Sequence, residues 1–243
     1  MPIDEILLFT LLALVAEIIG TISGFGSSVF FVPVAAYFFD FHSVLGITAI
    51  FHVFSNLSKI YFFKRGVNWK IVLYLGIPAI IFVSFGAYLS KFFDSTLLEL
   101  ILAIFLIGFS ILFLIAQNVI IQPTHTNSII GGSISGFVAG LLGTGGTIRG
   151  MTLAAFNLNK DVFIATSALI DFGVDLSRGI VYFSNGYMHW HDMKFVLILI
   201  AVSIVGTYIG KKVLDRVSET TFKRIVLFVI LGIGIATLMQ QII

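Results

Sequence analysis

The feature that most constrains this chain is the recurrence of apolar runs along its whole length. Segments of roughly 20 residues, long enough to cross a hydrocarbon core of about 30 Å, follow one another with only short polar gaps. Of 243 residues, 58% are hydrophobic and 11% charged, where soluble domains carry about 25% charged residues. No soluble domain fits in what remains, so the chain reads as an all-α polytopic membrane protein. The first residues place Asp4 and Glu5 before an apolar run, without the basic leader of a signal peptide, so the segment is expected to be retained. There are no cysteines, which excludes disulfides, thiol catalysis and thiolate metal sites. The net charge of +2 decides little, and no nucleic-acid partner is expected.

The chain also repeats itself. At an offset of about 119 residues, Gly24, Phe25, Gly26, Ser27 and Ser28 lie over Gly143, Thr144, Gly145, Gly146 and Thr147. Downstream, "SNLSKIYFF" (55–63) lies over "VDLSRGIVY" (174–182), Trp69 over Trp190, and "GAYLSK" (86–91) over "GTYIGK" (206–211). Such internal symmetry is a signature of transporter repeats. Two halves follow, 1–120 and 128–243, each with four to five hydrophobic segments. The second segment of each half, roughly 28–39 and 147–158, is too short to span alone and is expected to be a broken or half-spanning helix.

Loop charge sets orientation. Lys64, Arg65 and Lys70 follow the third segment of the first half, while Lys211, Lys212, Arg216, Lys223 and Arg224 follow the fourth segment of the second. Parallel repeats would put these loops on opposite sides, whereas inverted repeats put both in the cytoplasm, as the positive-inside rule asks. Two inverted repeats are therefore expected, with each short segment completing a crossing and both termini outside. The alternative is a parallel duplication with one weakly specified loop.

Ionisable groups inside a bilayer cost several kcal/mol and call for a reason. His52, Asn56 and Lys59 stand at i, i+4 and i+7 on one helical face, and Asp171, Asp175 and Arg178 repeat that spacing at the equivalent positions. His52, Asn56, Asp171, Asp175 and Arg178 are candidate coupling groups. A second carboxylate one turn from Asp175 suits a group poised to take a proton. The competing reading is a buried polar seam, with Asp175 and Arg178 as an ion pair. Glu17 is a further candidate, or a partner for Lys59.

Two glycine turns, "SGFGSS" (23–28) and "GTGGT" (143–147), precede the short segments and offer helix N-termini with free N–H groups. Such ends bind anions, and in secondary transporters discontinuous helices hold substrate near the midplane. Gly24, Gly26, Ser27, Ser28, Gly143, Thr144, Gly145, Gly146, Thr147 and Arg149 are the candidate anion site, with Arg149 supplying a planar fork of donors. Against this stand close helix packing as the whole purpose of the glycines, and an internal acid as the partner of Arg149. Nucleotide motifs do not match, and "HWH" (189–191) is too sparse for a metal site, so neither cofactor nor metal is expected.

The duplicated turn, "FVPV" (31–34) and the run "GTGGTIRG...AAFNLNKDVFIATSALIDFGVDLSR" (143–178) resemble the sulfite exporter TauE/SafE family over nearly the whole chain. The resemblance implies a multi-pass permease of a bacterial or archaeal inner membrane that moves sulfite, sulfonates or related small sulfur anions. Residues and resemblance together point to a secondary transporter whose partners are a small anionic substrate and the lipid bilayer. The oligomeric state is open. The rivals are a passive anion channel using the same site and an intramembrane enzyme with His52 and Asp171 as base and acid, which lacks a nucleophile.

Overall fold

The computed structural model describes residues 2–63, 66–115, 121–189, 193–214, 216 and 219–242, and among these it contains helices and no strand. The first half holds α1 (Ile3–Ser23), α2 (Ser28–Ala35), α3 (Phe41–Phe62), α4 (Trp69–Phe92) and α5 (Ser95–Ile115). The second holds α6 (His125–Leu142), α7 (Gly146–Ala154), α8 (Lys160–Ser184), α9 (Met193–Leu214) and α10 (Glu219–Ile242). The protein is an all-α polytopic membrane protein: α1, α3, α4, α5 and α9 each contain a stretch long and apolar enough to cross a bilayer.

Polar residues between apolar runs start the helices. Asp40 accepts from the amides of His42 and Ser43 to open α3, and Asn159 accepts from Val162 to open α8. Gly24 and Gly143 close α1 and α6 in the left-handed region, at φ 72° and 77°, where glycine carries no Cβ penalty. These two glycines align with each other in the sequence, and they share the same backbone conformation. In α4, Val72–Gly76 winds as a π-helix just ahead of Pro78, which has no N–H to give to the ladder.

The short helices double back and do not complete a crossing. Phe9, in the second turn of α1, packs against Phe31 of α2 and against Phe38 and Phe39 beyond it, while Gly20 near the other end of α1 meets Gly26 and Ser27. The chain thus enters along α1, turns at Gly24–Ser27, and returns along α2 toward the side it came from. At eight residues, about 12 Å, α2 covers less than half of a hydrocarbon core. The expectation of a completed crossing fails because the left-handed turn reverses the chain where an extended turn would have carried it onward.

Contacts between helix ends define two faces. On one, Lys211 at the end of α9 donates to the Phe62 carbonyl at the end of α3, and Tyr74 stacks on His125 at the start of α6. This face carries Lys70, Lys211, Lys212 and Arg216, and we call it the basic face. Lys64, Arg65 and Trp190 lie outside the described residues. On the other face, which carries Asp40 and Asp94 and which we call the acidic face, Phe9 meets Phe39 and Phe195, Ser95 donates to Asp40, and Asn185 donates to the Ala87 carbonyl. The first half starts at this acidic face and leaves through α5, and the second starts at the basic face.

The helices pair across the halves: α1 with α9, α6 with α4, α3 with α8, and α5 with α10. The α4–α6 contact is backbone against backbone. A Cβ on Gly132, Gly136 or Gly140 would sit 2.2, 2.2 and 2.1 Å from the carbonyl oxygens of Leu75, Ala79 and Val83. This glycine ladder is packing, as the small-xxx-small spacing suggests. Large apolar side chains along α1 and α4, including Leu7, Leu11, Ile77, Ile81 and Phe85, are exposed and form a lipid-facing surface.

Candidate functional site

The two glycine turns meet. Gly146, at the start of α7, lies so close to the Phe25 carbonyl that a Cβ would stand 2.1 Å from it, and Ser28 donates to the Thr144 hydroxyl across 3.3 Å. Only glycine permits that approach. Around the junction stand α3 and α8, packed against each other and presenting the two polar triplets face to face. Asn56 donates to Asp175 across 2.7 Å, and these two are repeat equivalents.

Among the described residues, the buried charges form three pairs. Lys59 lies 2.9 Å from Glu17, Arg178 lies 2.7 Å from Asp175, and both guanidinium NH2 groups of Arg149 engage the two carboxylate oxygens of Asp171. Arg149, 3% exposed, also donates from Nε to Ser167. Three cations therefore face three carboxylates, and the cluster is formally neutral. For Arg149 the internal acid is realised; for Asp175 and Arg178 the ion pair of the seam reading is realised.

Each remaining candidate has a defined place. Gly26, Ser27, Ser28, Gly143, Gly145 and Gly146 line one cavity together with Arg149 and the coupling candidates His52, Asn56, Asp171, Asp175 and Arg178. Thr144 is buried beside it as the partner of Ser28, Thr147 is buried in the first turn of α7, and Gly24 lines an adjoining cavity. The free space in the central cavity is about 20 Å³, room for one water-sized body.

Several candidates are committed elsewhere. The Ser27 hydroxyl donates to Glu17 across 2.6 Å, so its contact with His52 Nε2 at 2.9 Å must run from the imidazole N–H to the serine oxygen. His52 Nδ1 is buried beside the Thr48 carbonyl one turn back, without a well-formed hydrogen bond among the described residues. Arg178 donates to the Ala139 and Gly143 carbonyls at the end of α6, and Tyr182 donates to Gly140 across 2.6 Å. Together they hold the turn in place. The hydroxyl of Thr147 and the Nε of Arg178 have no partner among the described residues.

Sequence reading alone did not single out Ser55, Ser167, Tyr182 or Thr207. Glu17 is fully buried and accepts from Thr21, Ser27, Ser55, Thr207 and Lys59, which draws α1, α3 and α9 into one polar knot. Ser55 stands four residues before Lys59 and Ser167 four before Asp171, so helical spacing was the available signal. Thr207 comes from 190 residues away, where spacing says nothing.

The family model for sulfite exporter TauE/SafE matches residues 9–237. A probable membrane transporter protein of Methanocaldococcus jannaschii is 26% identical over 253 aligned positions, covering 93% of this chain and 92% of that protein. A second, from Bacillus subtilis, is 26% identical over 231 positions, covering 88% and 93%. No solved structure matches. With two broken helices meeting inside a helical membrane bundle and a family match across nearly all of it, the chain belongs to the sulfite exporter TauE/SafE family and is a multi-pass membrane transporter.

Proposed function

We propose that the protein carries a small sulfur-containing anion, a sulfonate or sulfite, across a cell (inner) membrane, and that a proton taken by Asp171 travels with it. The observation that supports this most directly is the closed Arg149–Asp171 pair at the junction of the two turns. While Asp171 is ionised it occupies both donor edges that a sulfonate oxygen would use. Protonating it removes half of the ion pair and turns the Arg149 fork toward the first-turn amides of α2 and α7, where an anion is favoured.

Charge balance gives the stoichiometry. An anion added to a neutral, buried cluster leaves one unpaired negative charge. At an effective dielectric of about 20, each unit pair 4 Å apart is worth about 4 kcal/mol, so an uncompensated charge there is expensive. One proton with each anion keeps the sum at zero. The pair also ties α7 to α8 around a cavity that holds one water-sized body, so its release is what makes room for an anion of several heavy atoms.

The same reading assigns the other groups. Gly24 to Ser28 and Gly143 to Thr147 present backbone amides, with Thr147 contributing its hydroxyl. Asn56 and Asp175 mark the pseudo-two-fold axis, since a residue touching its own repeat counterpart lies on it. Arg178 braces the second turn, and His52, in the cavity wall and bonded to Ser27, is a secondary proton acceptor. The helix pairing, which exchanges consistently between halves, supports two inverted repeats, 1–120 and 128–243.

Ethanesulfonate, which stays ionised across the working pH range, tests this without a titration of its own. Its binding should tighten as pH falls, by up to about tenfold per pH unit for one linked proton. Asp171→Asn should flatten that dependence while retaining binding, and Arg149→Gln should abolish binding at every pH. Binding by wild type that is independent of pH, or undiminished in Arg149→Gln, would overturn the proposal.

A further inference from the structure

A second cavity of about 20 Å³ adjoins the first on the side of the basic face and shares Gly26, Asn56, Lys59 and Asp171 with it. Its outer wall comes from the end of α1 and the first turns of α8. There the ring of Phe163 rests on Gly24, near enough that a Cβ on that glycine would stand 2.8 Å from it. Gly24 is a left-handed glycine at the bottom of the first turn, and its repeat equivalent, Gly143, is covered in the same manner on the opposite side. The side chains of Leu45 and Val32 would stand 2.9 and 3.1 Å from a Cβ there. Each turn is thus lidded by a side chain from the start of the other half's third helix.

The two lids are unequal. Leu45 and Val32 are fully buried in the large apolar cluster with Phe9, Phe31, Phe41 and Phe51. Phe163 is only half-buried and sits at the edge of two small clusters, one of Phe63, Ile164, Ala165 and Leu214 and one that includes Leu75, Leu153 and Ile170. Toward the acidic face a large aromatic cluster covers the site; toward the basic face the cover on Gly24 is the Phe163 ring, with Phe63 in the cluster beside it and a polar chamber behind it. That chamber is lined by Lys59 and Ser167, polar residues that also hold Glu17 and Asp171.

We infer that the second cavity is the vestibule through which substrate reaches the basic face, and that Phe163, resting on Gly24, is the residue that gates it. The inference depends on the central cavity being the transport site. Glycine is required at position 24 both for its left-handed backbone and because any side chain would jam the ring. Rotation of Phe163 off Gly24 joins the two cavities to the basic face without disturbing the packing around Leu45.

The chain has no cysteine, so single thiols can be placed without background. Ala168→Cys lines the vestibule, Lys70→Cys reports the basic face and Asp94→Cys the acidic face. In sealed vesicles treated from one side with a membrane-impermeant sulfonate-bearing methanethiosulfonate, Ala168→Cys should react under the condition that labels Lys70→Cys and not under the one that labels Asp94→Cys. Adding Phe163→Ala should speed that reaction by about tenfold or more, the factor expected when burial of roughly one ring opposes opening, and Phe163→Trp should slow it. Because the two substitutions act in opposite directions, general loosening of the fold does not mimic the result. Labelling from the acidic face, from neither face, or at a rate indifferent to both ring changes would overturn the inference. No substrate is added, so loss of ethanesulfonate binding would count against the anion reading alone.

Discussion

At the scale of single residues, the buried charges explain one another in pairs. Glu17 shows the consequence most clearly. Its carboxylate receives five donors, one of them the Lys59 ammonium, all inside the protein. Glu17→Gln should destabilise the protein by about 3–5 kcal/mol, because it strands a buried ammonium, and Glu17→Gln combined with Lys59→Met should recover much of that loss. Thermal unfolding in detergent checks both; equal losses in the single and double variants would contradict the pairing. Much of this layer was legible beforehand. The polar triplets at i, i+4 and i+7 announced that α3 and α8 present charged faces to a common interior, and the i+3 spacing of Asp175 and Arg178 announced their pair. The partner of Arg149 was not legible, since Asp171 and Asp175 stand one turn apart and spacing cannot choose between them.

At the scale of elements, the glycines divide into two tasks. Gly132, Gly136 and Gly140 bring α6 onto α4, whereas Gly143, Gly145 and Gly146 shape the turn. The first task is steric, so even Gly136→Ala, which places a methyl group 2.2 Å from the Ala79 oxygen, should cost about 1–3 kcal/mol and Gly136→Leu should prevent stable assembly. Monodispersity and melting temperature of the purified variants measure this. The existence of short second segments was readable from run length and breakers. Their direction was not, because a stretch such as Gly24–Ser27 can carry the chain onward or reverse it. Reversal follows from a left-handed Gly24 together with the aromatic cluster of Phe9, Phe31, Phe38 and Phe39, which forms only when α2 lies back along α1.

At the scale of the whole molecule, the inverted arrangement that we propose has three net crossings per half and puts both termini opposite the basic face. Reporter fusions at the N- and C-termini should both report the outside, and a thiol at Lys70 the inside; a cytoplasmic C-terminus would contradict the inverted arrangement. The sequence by itself determined that the chain lives in a membrane, that its two glycine turns align at a constant offset, and that these turns and a set of charged groups belong to its interior. These follow from local quantities: run length, hydropathy, and helical period. The tertiary structure alone decided which carboxylate each cation serves, that Thr207 completes the Glu17 knot, and that the Phe163 ring rests on Gly24. Such facts depend on which helices pack together. Packing joins residues 22 to 190 positions apart, and local pattern carries no record of that choice.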